Sequence, residues 1–451
     1  MGVAVHPVSD NHTGRDFVNY DVVIAGASIA GCTAAAIYGQ AGLRVALLER
    51  NPSMSSYKGL CGHFILGGAR ATLERLRLWE RLLDEGAATT ERLAVWSPAG
   101  WIVPRCGDAP TAISIRRRKL DPILREMAAS RPGVDLLMGH TVTGVLQEGG
   151  VVVGLGVTTR TGKRVEVLGR LVVGADGHHS TVSRLAGVPE AAAPNRRFLY
   201  WAYYRGVKMR GPGDGQVWLL DPDVAVCDST DEGLTQLGVF PSKARLGEFA
   251  EDRVTAFERF VAALPDGPSL ERAERVSKVI GTTDYPCVRR HPVPRPRLAL
   301  IGDAATASDP VPAVGCGWAF RSAEWLADAT TPALAGDGSL DTGLRRYRRA
   351  HRLIERYDSL GRKDARALRP NPIQRAIWTA SVHDAELARR MAMFGMRAAA
   401  PSVLLNPRTV ARALSGAALH RRRYAFAGRP DTRGADSPRN ALMEDPPQTR
   451  R

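Results

Sequence analysis

The sequence predicts an α/β fold in which a parallel-sheet domain is interrupted by a mostly antiparallel sheet and followed by helices. Three observations carry this. Residues 20–50 read strand, glycine turn, small-residue helix, strand. Residues 195–290 are dominated by aromatic and β-branched stretches such as RFLYWAYYRGV and LTQLGVF, with one helix at 250–264. A buried-strand pattern then returns at RLALI and leads into long helices.

Taken in order, residues 1–17 are polar and without apolar periodicity. DVVIAG is a short apolar strand ending in glycine. SIAGCTAAAIYGQAG is a helix of small residues with Gly42 placed to cap its C-terminus, and LRVALLER is the next strand, ending on Glu49. Two such strands joined by a helix form a parallel βαβ unit. Residues 67–86 carry Leu73, Leu76, Trp79, Leu82 and Leu83 at helical spacing, and residues 119–130 form another short helix. Residues 142–177 divide at GG and TG into three antiparallel strands that run into a final buried strand. Within them Gly154-Leu155-Gly156 opens no helix and reads as a strand interior or bulge. A helix spans 315–334, helical sequence continues to about 424, and residues 427–451 read as a disordered tail. The expected division is an N-terminus at 1–17, a discontinuous nucleotide domain at 18–194 and 291–335, a substrate sheet at 195–290, a helical region at 336–426, and the tail.

Composition bounds the function. In 451 residues, 44% hydrophobic and 24% charged content excludes wholesale disorder. No run approaches the roughly 18 apolar residues of a membrane span, and the N-terminus lacks a secretory layout, so the expected location is the cytoplasm. None of the six cysteines forms a CxxC pair; all read as free thiols, with no metal site. The net charge of +16 is local: residues 341–451 hold 23 arginines and one lysine against ten acidic residues, a net +14. The clusters at 345–349 and 421–423 lack the aromatic interleaving of a nucleic-acid stacking surface and read as a solvated helix face plus tail. The partner they would otherwise suit is an acidic carrier protein.

The strongest local motif is Gly26-Ala27-Ser28-Ile29-Ala30-Gly31 between the first strand and its helix. Gly26 makes the tight turn, Gly31 lets the helix approach the sheet, and Ser28 stands where the middle glycine is usual. The helix N-terminus offers free N–H groups and a partial charge of roughly +0.5 to a pyrophosphate. Glu49, 23 residues after Gly26, ends the second strand where a carboxylate accepts ribose hydroxyls; Arg50 follows it. This is a Rossmann-like dinucleotide-binding unit. Two later motifs each place an aspartate at the carboxyl end of a buried strand, the ligand edge of such sheets: Gly174-Ala175-Asp176-Gly177-His178-His179-Ser180 and Gly302-Asp303-Ala304-Ala305. The second loop runs to Pro312-Ala313-Val314-Gly315-Cys316-Gly317. An aspartate there can also cap a helix.

In this order the motifs resemble the FAD-dependent monooxygenases of the para-hydroxybenzoate hydroxylase type, the class A flavoprotein hydroxylases, over about residues 18–400. The resemblance implies that the Gly26–Gly31 turn binds the ADP half of FAD and Glu49 its adenosine ribose. It implies that Asp176 serves FAD and a passing NADPH or NADH, and that Gly302 and Asp303 hold the ribityl and pyrophosphate part. Arg117, before Leu120-Asp121, matches an arginine that reaches FAD; Lys58 loosely matches a basic position after the second strand. Pro312, Gly315, Cys316 and Gly317 would start a helix aimed at the flavin ring, where N–H groups stabilise negative charge.

The sequence departs from the family at Thr306, where histidine is usual, and at Ser183-Arg184, where the arginine falls one place late. It lacks the halogenase WxWxIP motif; Trp201 and Trp218 are isolated. The implied activity is a monooxygenase using NAD(P)H and oxygen to hydroxylate or epoxidise an aromatic or polyketide-like small molecule, in secondary metabolism such as antibiotic biosynthesis. The alternative is an FAD-binding cyclase or dehydrogenase that does not insert oxygen. Tyr203 and Arg205 are the candidate substrate residues. No side-chain nucleophile is required, and no catalytic residue is singled out.

Overall fold

Val22 and Ile24 face one side of the first strand, Val23 and Ala25 the other, and all four are buried. Burial on both faces belongs to a strand inside a parallel sheet covered on both sides. The structure, a computed structural model, describes residues 17–427, with side chains for 19–419. The expectations for 1–16 and 428–451 lie outside the described residues. β1 (Phe17–Ala25) pairs in parallel with β2 (Val45–Glu49) on one side and with the strand 164–174 on the other. The full order is 134–138, β2, β1, 164–174, 151–158, 141–148, with 298–300 beside 164–174.

Between β1 and β2 runs α1 (Ile29–Gln40), buried at every position from Ile29 to Gly39. Gly42, at φ +79°, reverses the chain after it. The segment expected as one helix at 67–86 is two, α2 (Arg70–Arg75) and α3 (Leu78–Asp84), parted by Arg77 at φ 57°. Leu76 and Leu78 could not share one face of a straight helix; the break buries both. α4 (Arg117–Ala129) packs on α1.

The expected third strand and final buried strand of 142–177 are one strand, 164–174. Its first half pairs antiparallel with 151–158; its second half pairs in parallel with 298–300. Gly154 and Gly156 sit at two register shifts of the 141–158 ribbon. The short α5 (Thr181–Leu185) follows.

The second large sheet runs 274–275, 199–205, 234–240, 224–230, 215–219, 93–97, 100–102. Its last two strands come from well before residue 195, with 93–97 parallel to 215–219. One face packs on α6 (Leu246–Glu251) and α7 (Arg253–Ala262) through Phe249, Phe257 and Phe260. The helix expected at 250–264 divides because Asp252 caps α7, accepting from Val254 and Thr255 N–H. The other face looks toward the parallel sheet. α8 (Gly315–Leu334) matches its expected span and packs on α1. α9 (Leu340–Ala367), α10 (Pro372–Ser381), α11 (Ala385–Gly395) and α12 (Pro407–Ala427) complete the chain.

Candidate cofactor and substrate site

A cavity of about 960 Å³ lies between the carboxyl ends of the parallel strands and the free face of the second sheet. Gly26, Ser28, Ile29, Ala30, Glu49, Arg50, Lys58, Arg117, Asp176, Asp303, Pro312, Gly315 and Cys316 all line it. The chain folds this way locally for steric reasons. Gly26 has φ +105°, and a Cβ there would stand 2.6 Å from the Ala175 carbonyl oxygen. A Cβ on Gly31 would stand 1.8 Å from the Gly26 carbonyl oxygen. Gly31 and Gly302 therefore lie behind the wall and set its shape. Gly315 differs, since a Cβ there meets nothing closer than 3.8 Å, at Asp303 Oδ1. No packing forces a glycine at 315; its bareness faces the cavity. Gly317 is buried against Ala69, off the wall.

Charges around the turn are paired within the chain. Glu49 accepts from Ala27 N–H at 3.0 Å and Asn51 N–H at 2.9 Å, so it braces the glycine turn while lining the cavity. Arg117 donates to Asp121 Oδ1 at 2.6 and 2.9 Å and to Ser28 Oγ at 2.6 Å. Asp121 also accepts from Lys58 N–H at 2.9 Å, and Lys58 Nζ donates to Asp303 Oδ2 at 2.9 Å. Burial pushes the Asp303 carboxyl up, but the Lys58 ammonium outweighs it and holds Asp303 below its ordinary value. The two aspartates of the later motifs differ: Asp176 accepts from the α5 cap Ser180 Oγ and from Val182 N–H and so braces the start of α5, whereas Asp303 faces a lysine across the cavity wall.

Sequence reading missed several residues. Arg125 donates to the carbonyls of Ala27 and Met54, tying the turn to the loop after β2. Its signal was available, because Arg117, Asp121 and Arg125 fall four apart on one buried helix face. Arg290 bridges the two later motifs, donating to His178 and Ala304 carbonyls. Cys61 and Cys316 stand with sulfurs 3.6 Å apart, and His63 N–H donates to Cys61 at 3.3 Å. The Cys316 hydrogen bond, with Arg117 and Lys58 nearby, holds the Cys61 thiol well below its ordinary value; the same hydrogen bond and burial push Cys316 up.

The free sheet face forms the floor. Trp201, Val226, Val217 and Val95 lie in one row across it. Tyr203 does not itself line the cavity; its hydroxyl stands 3.3 Å from Nδ1 of His63, which does. Arg205 shares that strand face but is exposed at the strand end, beside Glu274, and the structure does not bring it to the cavity.

This arrangement, a glycine turn at a helix N-terminus with a carboxylate on the next strand and a deep cavity beyond, defines a dinucleotide-dependent enzyme of the α/β class. The profile of the FAD binding domain family matches residues 19–210. The chain is 25% identical to digeranylgeranylglycerophospholipid reductase 1 of Methanococcoides burtonii over 351 residues, covering 74% of this chain and 79% of that one. It is 26% identical to 6-methylpretetramide 4-monooxygenase of Streptomyces rimosus over 351 residues, 75% and 79% of the two chains. In structure it is similar to a triple mutant of the flavin-dependent brominase Bmp2, with TM-score 0.69, 18% identity, and 89% and 100% coverage. The chain therefore carries an FAD binding domain over residues 19–210 and is an FAD-binding oxidoreductase.

Among the described residues no helix is long and apolar enough to cross a membrane, and no group of His, Cys, Asp and Glu could hold a metal ion.

Proposed function

We propose that this chain is an FAD-dependent monooxygenase that uses NADPH or NADH and oxygen to hydroxylate or epoxidise an aromatic or polyketide-like small molecule of secondary metabolism. One observation carries the reading: a single cavity joins the Gly26 turn, Glu49 and the Lys58–Asp303 pair to the apolar floor of the second sheet. A cofactor held along the first wall thereby meets a substrate lying on the second. The Streptomyces relative, a 4-monooxygenase by name, supports the same reading.

FAD, when bound, supplies the redox and oxygen chemistry. The chain's own residues bind and orient it. The N–H groups opening α1 receive the pyrophosphate, Glu49 the adenosine ribose, and the Lys58–Asp303 pair the ribityl side. The bare N-terminus of α8 at Gly315 offers N–H groups to developing negative charge. Trp201, Phe240 and Leu219 on the floor, with Trp318 on α8, exclude water.

The second reading, an oxidoreductase that does not insert oxygen, is favoured by the archaeal reductase relatives and by the paired thiols of Cys61 and Cys316. The test follows NAD(P)H and oxygen consumption on adding polycyclic aromatic compounds, with isotopically labelled oxygen. Label in the product is the expected result. NAD(P)H oxidation coupled to substrate reduction, without oxygen uptake, would establish the second reading instead.

A further inference from the structure

Two residues in register on adjacent strands, Gln236 and Asp228, put polar groups into an otherwise apolar floor, and Tyr203 continues their row behind His63. Tyr203 pairs with Gln236, and Gln236 with Asp228. The neighbouring row begins with Trp201, and His63 closes over both from the loop after β2. His63, Trp201, Gln236 and Asp228 all line the cavity.

This cluster is incomplete as it stands. His63, Trp201 and Gln236 are 1%, 3% and 5% exposed, yet His63 Nε2, Trp201 Nε1 and Gln236 Oε1 have no hydrogen-bond partner. A buried polar atom left unpaired carries a desolvation cost that nothing offsets. Three of them at one cavity wall point to a ligand group that supplies the missing partners.

The charge of that group follows from its surroundings. Burial holds the His63 imidazole down to about 4 and the Asp228 carboxyl up to about 8, so both are neutral at pH 7. Ser114 Oγ donates to Asp228 at 3.3 Å and adds no charge. Arg116, which reaches over the Tyr203 ring, is forked onto buried Asp231 and paired with Glu232. Lys58 and Arg117 are held by Asp303 and Asp121. Cys61, beside His63, brings no positive charge. A carboxylate arriving here would find no cation, and an ammonium no free carboxylate; either would sit unpaired in a low-dielectric wall. A hydroxyl both donates to Gln236 Oε1 and accepts from Trp201 Nε1.

We propose that this row is an orienting subsite that takes an uncharged hydroxyl group carried on an apolar body. The proposal rests on the floor being the substrate wall of the reading above, and it narrows the substrate to neutral, hydroxylated molecules.

The test uses three probes with one ring system, naphthalenemethanol, methylnaphthalene and naphthoate, titrated calorimetrically into FAD-loaded protein. The alcohol is expected to bind roughly tenfold tighter than the hydrocarbon, with naphthoate weakest. Gln236→Leu and Trp201→Phe should each shrink the alcohol's advantage. Unchanged methylnaphthalene affinity in both variants would show the cavity intact. Naphthoate binding as tightly as the alcohol, or an alcohol preference surviving both substitutions, would overturn the proposal. The visible spectrum of the same samples reads the cofactor separately. Protein without flavin would count against the function proposed above, while the probe ranking on stripped protein still decides the subsite.

Discussion

The two walls of the cavity treat buried polar groups in opposite ways. On the glycine-turn wall the charges find partners inside the chain: Arg117 with Asp121, Lys58 with Asp303, Glu49 with two backbone N–H groups. On the sheet floor the polar groups are neutral, and three keep an atom unpaired. The difference separates a frame that is satisfied before any ligand arrives from a surface completed by one. Removing a partner from the first wall should cost fold stability. Removing a group from the second should cost recognition and leave the fold intact or improved.

The largest effect is expected at Asp121. Asp121→Ala leaves Arg117 buried without its counter-charge, at a cost of about 3–5 kcal/mol. Urea unfolding measures it. The double change Arg117→Met with Asp121→Leu should recover much of the loss, because no charge then remains to desolvate. If Asp121→Ala unfolds at the wild-type urea concentration, the first wall is not the internally satisfied frame described here.

Glu49→Ala comes next. The carboxylate lines the cavity and also braces the turn, so FAD retention should weaken roughly tenfold or more, corresponding to one charge-assisted hydrogen bond. Ultrafiltration of the yellow protein reads this directly, and equal retention would remove Glu49 from the cofactor contacts.

Asp228→Asn should move stability the other way. The folded state raises this carboxyl to about 8, so the native chain keeps a proton that the unfolded chain has released. Wild-type stability contributed by this site therefore falls as pH rises from about 4 toward about 8, and is level above. The amide variant should match wild type near pH 4 and exceed it above pH 8, in thermal melts across that range. A variant less stable than wild type at pH 9 would show that the ionised carboxylate has a partner on the floor.

The smallest effect is a change in reactivity. The hydrogen bond between the Cys316 and Cys61 sulfurs holds the Cys61 thiol below its ordinary range. Cys316→Ala should raise the pH at which iodoacetamide labels Cys61, with labelling of exposed Cys106 unchanged. An unmoved profile would mean that Arg117 and Lys58 set Cys61 without help from Cys316.

Much of the first wall was legible because its determinants are local. The Gly26 turn needs a positive φ, α1 needs small residues to lie under the sheet, and Glu49 ends the strand that follows; all are within 25 residues and obey backbone geometry alone. Asp176 shows the limit of that reading: its motif was visible, but its bracing of the Ser180 cap of α5 depends on where Ser180 and Val182 turn. Tyr203 and Arg205 share a strand face by period, yet neither lines the cavity, and only Tyr203 meets a residue that does, because the loop carrying His63 covers one end of the strand and not the other.

The sequence by itself determined the α/β class, the interleaving of two sheets, the glycine turn and the carboxyl-edge positions of Asp176 and Asp303. These follow from periodicities of two and 3.6 residues and from the few residue types that tolerate a left-handed or crowded backbone. Only the tertiary structure decided that residues 93–102 complete the second sheet and that Lys58 meets Asp303, 245 positions away. It alone decided, too, that Cys61 meets Cys316 and that His63 and Asp228 are neutral. Pairing between distant segments depends on which surfaces cover one another, and protonation depends on how much water that covering removes; neither is a property of any short stretch of chain.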